Sequence, residues 1–137
     1  MSSCVSFIRT RRIAGDGAST RQSYRFYDEL GRLTLSVGEP DDAGHRLQTC
    51  YTYDTLSNLT QIRAGATTDV TSITCPAQGP EAPALQQTQT WDDFGQLLSK
   101  TDALGHTWTW AYDLYGNLSS SQSPEQAKLG AGTQTTY

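Results

Sequence analysis

Apolar residues are scarce in this sequence. Hydrophobic side chains make up 36% of the 137 residues, and the mean hydropathy is −0.54. Burial of apolar area is the main stabilising term in folding, so a closed, self-sufficient core is not expected. Long hydrophobic runs are missing as well: no stretch approaches the length of a membrane-spanning helix. The first residues run straight into Arg9, with no secretory apolar segment between. Charge is also sparse, at 18%, which excludes the charge-rich composition of simple disorder. The net charge of −4 argues against a nucleic-acid partner, and Arg9, Arg11 and Arg12 read as a solvated basic face. There are three cysteines, Cys4, Cys50 and Cys75. Their spacing fits no metal site, and their odd number gives no disulfide framework. They are expected to be reduced or incidental, with a single Cys50–Cys75 bridge as the alternative.

What the sequence does have is Thr, Ser and Gln, and a repeated turn. Thr suits a half-solvated sheet. Between Trp91 and Leu118 the pattern Asp-x-x-Gly occurs three times, at Asp92 to Gly95, Asp102 to Gly105 and Asp113 to Gly116. Asp at the first position of a turn accepts hydrogen bonds from backbone N–H groups one or two residues on. Gly at the fourth takes the left-handed conformation that closes a four-residue hairpin loop. The Asp-to-Asp steps of 10 and 11 residues leave strands of about six between turns. This predicts an all-β antiparallel meander of short hairpins.

The rest of the chain restates the pattern. Residues 4–13 read as a strand with Val5 and Phe7 on one face, broken at Gly15, Asp16 and Gly17. A second strand covers 20–27, with Tyr24 and Phe26 alternating, and a third covers 33–37. An aromatic–Asp pair recurs at Tyr27-Asp28, Tyr53-Asp54, Trp91-Asp92 and Tyr112-Asp113. Each Asp is followed by Gly or Ser three residues later, and by Leu33, Leu59, Leu97 or Leu118 two residues after that. An alternate turn is copied as well, as Asp41 to Gly44 with His45 and as Asp102 to Gly105 with His106. Internal repeats outrank local assignments in choosing a fold. The copies start 26, 38 and 21 residues apart, so the array is irregular. Five stretches are expected: an N-terminal strand and linker at 1–19, repeats at 20–62, an irregular insertion at 63–86, repeats at 87–121, and a loop with a partial next repeat at 122–137. The proline-rich insertion reads as a surface or partly disordered loop. Ser57 replaces the turn Gly, so that turn is expected to be strained or shifted, with Asn58 the best left-handed substitute.

Chemistry-bearing residues are few. The aspartates at 28, 41, 54, 92, 102 and 113 sit at turn spacing and read as turn formers; no two are placed as an acid/base dyad. His45 and His106 occupy equivalent repeat positions, which is itself a structural explanation. The turn set is therefore Tyr27, Asp28, Gly31, Asp41, Gly44, Tyr53, Asp54, Trp91, Asp92, Gly95, Asp102, Gly105, Tyr112, Asp113 and Gly116. No catalytic, cofactor-binding or metal-ligating residue is assigned. Trp108, Trp110 and Tyr112 alternate along one strand face, where they either support cross-strand packing or stack on a glycan.

The four motifs from Tyr27 to Leu33, Tyr53 to Leu59, Trp91 to Leu97 and Tyr112 to Leu118, with the intervening turn at 102–106, look like the YD repeats of RHS-repeat proteins. The resemblance covers roughly residues 20–118. It implies a long β-sheet spiralling into a hollow shell. In bacterial polymorphic toxins and in the BC components of insecticidal Tc complexes, that shell encloses a C-terminal toxin domain. Teneurins use related repeats in cell–cell contact, and some members are associated with carbohydrate binding. Four repeats are too few to close a shell, and no self-cleaving core or toxin domain is seen. The resemblance thus implies a non-catalytic wall segment, an open curved sheet belonging to a larger RHS shell, secreted or at the cell surface. Its partners would be further RHS repeats and an enclosed toxin domain, with no nucleic acid, membrane span or cofactor. The alternative is a carbohydrate-binding or cell-surface interaction module.

Overall fold

The computed structural model describes residues 5–12, 20–68, 73–129 and 135–137. Ten strands follow one another: β1 (Val5–Arg12), β2 (Thr20–Tyr27), β3 (Leu33–Val37), β4 (Arg46–Tyr53), β5 (Leu59–Thr67), β6 (Ala84–Trp91), β7 (Leu97–Asp102), β8 (Thr107–Tyr112), β9 (Leu118–Gln122) and β10 (Thr135–Thr136). A six-residue helix, α1 (Pro124–Leu129), precedes β10. Strand order is chain order from β1 to β10, an open antiparallel meander as the turn spacing predicts. The breaker at Gly15, Asp16 and Gly17 and the first cysteine, Cys4, lie outside the described residues, as do the side chains of Val5, Phe7, Arg9, Arg11 and Arg12.

Two differences from expectation concern the irregular parts. β5 runs on to Thr67 and β6 starts at Ala84, so the two strands take up both ends of the stretch 63–86. The tail expected to be a loop at 122–137 contains α1. Its sequence explains it: Pro124 opens the helix, where a missing N–H costs nothing. Glu125 lies in the first turn and Lys128 in the last, each at the end of the helix that suits its charge.

The chain divides into two compact units, residues 1–52 with 62–84, and residues 53–61 with 85–137. The core is in the first unit. Phe26, Leu35, Val37 and Cys50 are buried, with Tyr24 and Cys75 packed against them. Strand register explains the cluster. Tyr24 lies opposite Val37 and Phe26 opposite Leu35; Leu35 in turn faces Cys50, and Val37 faces Gln48. Alternate residues of three adjacent strands thus make one apolar face.

Described residues of the 73–83 stretch pack on that face. Cys75 is disulfide-bonded to Cys50, which corrects the expectation of reduced cysteines. The observed pairing is the alternative that the spacing left open, and it depends on the loop folding back 25 residues later. Further along, Glu81 accepts bonds from the Thr67 hydroxyl at 2.6 Å and the Thr68 hydroxyl at 2.7 Å. Gln48, buried at 3% exposure, donates to the Glu81 carbonyl, so its amide is not left unpaired. Pro83 is fully buried. A Cβ on Gly65 would stand 3.1 Å from Pro83 Cα, so glycine permits this close approach. The described part of the segment is thus a surface loop, exposed at 73–74 and 77–80, that is pinned to the sheet at Cys75, Glu81 and Pro83.

The second unit, by contrast, has no buried hydrophobic side chain among its described residues. Its strands β7, β8 and β9 are intermediate along almost their whole length. That matches the low apolar content of the sequence.

Candidate functional site

The repeated turn has one geometry. In all six copies the Asp N–H donates to the carbonyl four residues on, and the N–H three residues on donates back to the Asp carbonyl. The Asp Oδ1 accepts from the backbone N–H groups two and four residues later, as Asp113 does from Tyr115 and Asn117, both at 2.9 Å. The donors thus lie further along the chain than the one or two residues expected from the turn pattern. The glycine has positive φ, from 75° at Gly31 to 86° at Gly44. This bonding fits a three-residue hairpin loop closed by a left-handed residue, one residue shorter than expected. Ser57 takes φ 69° itself. That turn is therefore not shifted, and Asn58 is not the left-handed residue; Asn58 instead donates through Nδ2 to Asp54 Oδ2 at 3.0 Å.

The residue four after each Asp went unassigned in the sequence reading, although it is Arg, His, Asn, Gln, His and Asn in turn. In five of the six copies its side chain stands against the Asp carboxylate. Arg32 Nε donates to Asp28 Oδ2 at 2.7 Å, Asn117 Nδ2 to Asp113 Oδ2 at 3.1 Å, and His106 Nδ1 lies 2.9 Å from Asp102 Oδ2. His45 and Asp41 are looser, at 3.5 Å. At four of these turns the electrostatic result is the same. At Asp113 the Asn117 side chain and backbone hold the carboxyl below the ordinary range, and at Asp41 the His45 N–H does so. At Asp28 and Asp102 desolvation pushes upward, but the bonds from Arg32 and His106 outweigh it.

The aromatic of the aromatic–Asp pair also has a defined place. Tyr27 pairs with Leu33, Trp91 with Leu97 and Tyr112 with Leu118, each beside a register shift. The seven-residue motif is thus one hairpin end, from the aromatic on one strand to the Leu on the next. In the second unit the aromatic also reaches the preceding copy. Trp91 Nε1 donates to the Leu59 carbonyl at 2.7 Å, and Tyr112 Oη to the Leu97 carbonyl at 3.1 Å. Gln96 Nε2 donates forward to the Gly116 carbonyl at 3.0 Å. The turns at 54–58, 92–96 and 113–117 are therefore linked copy to copy.

The tips of these turns are apolar and exposed. The second residue after Asp is Leu30, Leu56, Phe94, Leu104 or Tyr115 in five of the six copies, with exposures from 57% at Leu56 to 90% at Tyr115. Between two tips lies a cleft of about 600 Å³ lined by Asp92, Phe94, Gln96, Leu98, Trp110 to Gly116. Of the proposed glycan-stacking residues, Trp110 and Tyr112 line it and Trp108 does not. Lys100 Nζ instead sits 5.9 Å from the Trp108 ring centroid, a cation–π contact. Among the described residues no three of His, Cys, Asp and Glu come together as metal ligands, and no helix is long and apolar enough to cross a membrane.

Hairpins that share one loop geometry and are linked copy to copy define a structural β-repeat protein. The RHS Repeat family model matches residues 91–128, so that this stretch is similar to RHS repeats. The turns at 28–32, 41–45 and 54–58, outside the matched stretch, carry the same backbone bonds. No curated protein matches the chain.

Proposed function

We propose that the chain is a non-catalytic wall segment of an RHS shell that encapsulates a C-terminal toxin, with further RHS repeats as its immediate partners. The observation that carries this reading is the copy-to-copy link through Trp91, Tyr112 and Gln96. Links that run from one copy to its neighbour belong to an array, and an array is how a wall is built. Two further features support it. The second unit buries almost nothing of its own, and the exposed apolar tips call for a covering layer. The turn aspartates act as loop closers in this reading, with no part in catalysis. The residue ranges 20–62 and 87–121 are its repeat blocks, with 63–86 as an insertion between them. The Cys50–Cys75 disulfide supports a secreted or cell-surface setting, because such bonds persist in oxidising compartments.

The test is the behaviour of the 137-residue chain expressed alone and followed by light scattering and calorimetry. Open strand edges lead to self-association and a broad, low-temperature transition. A monomer with a sharp transition well above the ordinary range of about 45–65 °C overturns the proposal. Trp110 and Tyr112 in the cleft favour a second reading, a glycan-binding or cell-surface interaction module. A glycan array probed with the wild type and with Trp110→Ala tests it, and a flat array removes it.

A further inference from the structure

We infer that the cleft between the turns at 92–96 and 113–117 is a binding site for an organic cation, an ammonium group carrying apolar substituents. The first argument is the carboxylate. In five of the six turns the residue four after Asp stands against Oδ2: Arg32, His45, Asn58, His106 and Asn117. Gln96 is one methylene longer than Asn, and its amide goes to the Gly116 carbonyl instead. Asp92 accepts from Phe94 and Gln96 through Oδ1, and among the described residues no group donates to its Oδ2. Asp92 is one of the residues that line the cleft.

The second argument is the surrounding rings. Phe94, Trp110, Tyr112 and Tyr115 line the same cleft, with Leu98 and Leu114. Ring faces attract cations, and apolar substituents on the cation fill the space that water would otherwise hold. The described residues already use this chemistry. Lys100 stands over Trp108, and the Arg46 guanidinium lies 5.4 Å from the centroid of the Tyr24 ring. Two residues along from Trp108, Trp110 has no such cation among the described residues. A chain of net charge −4 adds to the attraction. A sugar, by contrast, needs several hydrogen-bonding groups, whereas the cleft amide of Gln96 is committed to Gly116 and the Tyr112 hydroxyl donates to Leu97.

Saturation-transfer NMR on the whole chain tests the inference, with tetramethylammonium chloride, its neutral shape analogue tert-butanol, and methyl glucoside as separate probes. Tetramethylammonium is expected to bind saturably and about fivefold or more tightly than tert-butanol, the discrimination a cation–π and carboxylate contact gives at an open site. Gln96→Asn, which lets residue 96 close on Asp92 as Asn58 and Asn117 close on their own aspartates, is expected to weaken binding severalfold at unchanged net charge. Asp92→Asn is expected to do the same. Equal binding of the two small probes overturns the inference, as does methyl glucoside binding without tetramethylammonium binding. So does unaltered affinity in both variants. Saturation transfer reads monomer and oligomer alike, so a failure here is distinct from a failure of the shell proposal.

Discussion

Cutting the Cys50–Cys75 disulfide is expected to loosen the first unit more than any single side-chain change. The two cysteines are 25 residues apart. Closing a loop of that length removes chain entropy from the unfolded state worth about 3.5 kcal/mol. The bond ties Cys75 to a strand whose neighbours Leu35, Val37 and Phe26 form the core. Its loss frees the segment that covers them, though Glu81 still holds Thr67 and Thr68. An opening free energy lower by that amount raises amide exchange about 300-fold. All three tryptophans, Trp91, Trp108 and Trp110, lie in the second unit, so tryptophan fluorescence is the wrong readout. Amide exchange at Phe26, Leu35 and Val37, with and without a phosphine reductant, is the right one, and the Cys50→Ala/Cys75→Ala double variant repeats it without reductant. Exchange rates at those amides that stay within about threefold would refute the argument that the covering segment depends on this closure.

The remaining predictions concern the turns and one close packing point. Ser57→Gly is expected to raise stability by about 0.5–1 kcal/mol, the left-handed cost for Ser less the extra chain entropy of Gly, and an unchanged urea midpoint would show that Ser57 is unstrained. Tyr112→Phe removes the bond to the Leu97 carbonyl and is expected to cost about 1 kcal/mol in chemical denaturation; no loss would mean the copy-to-copy link is incidental. Gly65→Ala places a methyl 3.1 Å from Pro83 Cα and is expected to destabilise by about 1–2 kcal/mol, checked by amide exchange at Val37. Acid is expected to destabilise. The Asp28, Asp41, Asp102 and Asp113 carboxyls are held below their ordinary range by their turns. Their contribution is therefore fully present above the unfolded aspartate value of about 3.9 and lost as pH falls through the lower folded values. A urea midpoint at pH 3 equal to that at pH 7 would contradict it.

Much of the architecture was legible because it is local. Asp, Gly and the spacing between them act within five residues, so the six turns and the strands they separate could be read directly. The aromatic–Leu spacing was legible as a pattern, but its meaning as two residues facing across a hairpin end needed the register. Ser57 shows the limit of propensity. Asn is the better left-handed residue in isolation, yet the bonds that Asp54 makes to residues 56 and 58 fix which position must turn, and that position is Ser57.

The sequence by itself determined the unit of construction: a hairpin with a self-satisfying Asp loop, repeated along a chain poor in apolar residues. Its physical basis is short-range hydrogen bonding, which composition and spacing carry in full. Only the tertiary structure decided what joins one unit to the next. Cys75 returns to Cys50, Glu81 caps Thr67 and Thr68, Trp91 reaches Leu59, and Gln96 turns from Asp92 to Gly116. Each of these pairs is brought together by sheet register or loop return over 13 or more residues, and no local pattern encodes such a distance. The same displacement of Gln96 leaves the Asp92 carboxylate open in an aromatic cleft, because one extra methylene moves an amide from its own turn to the next.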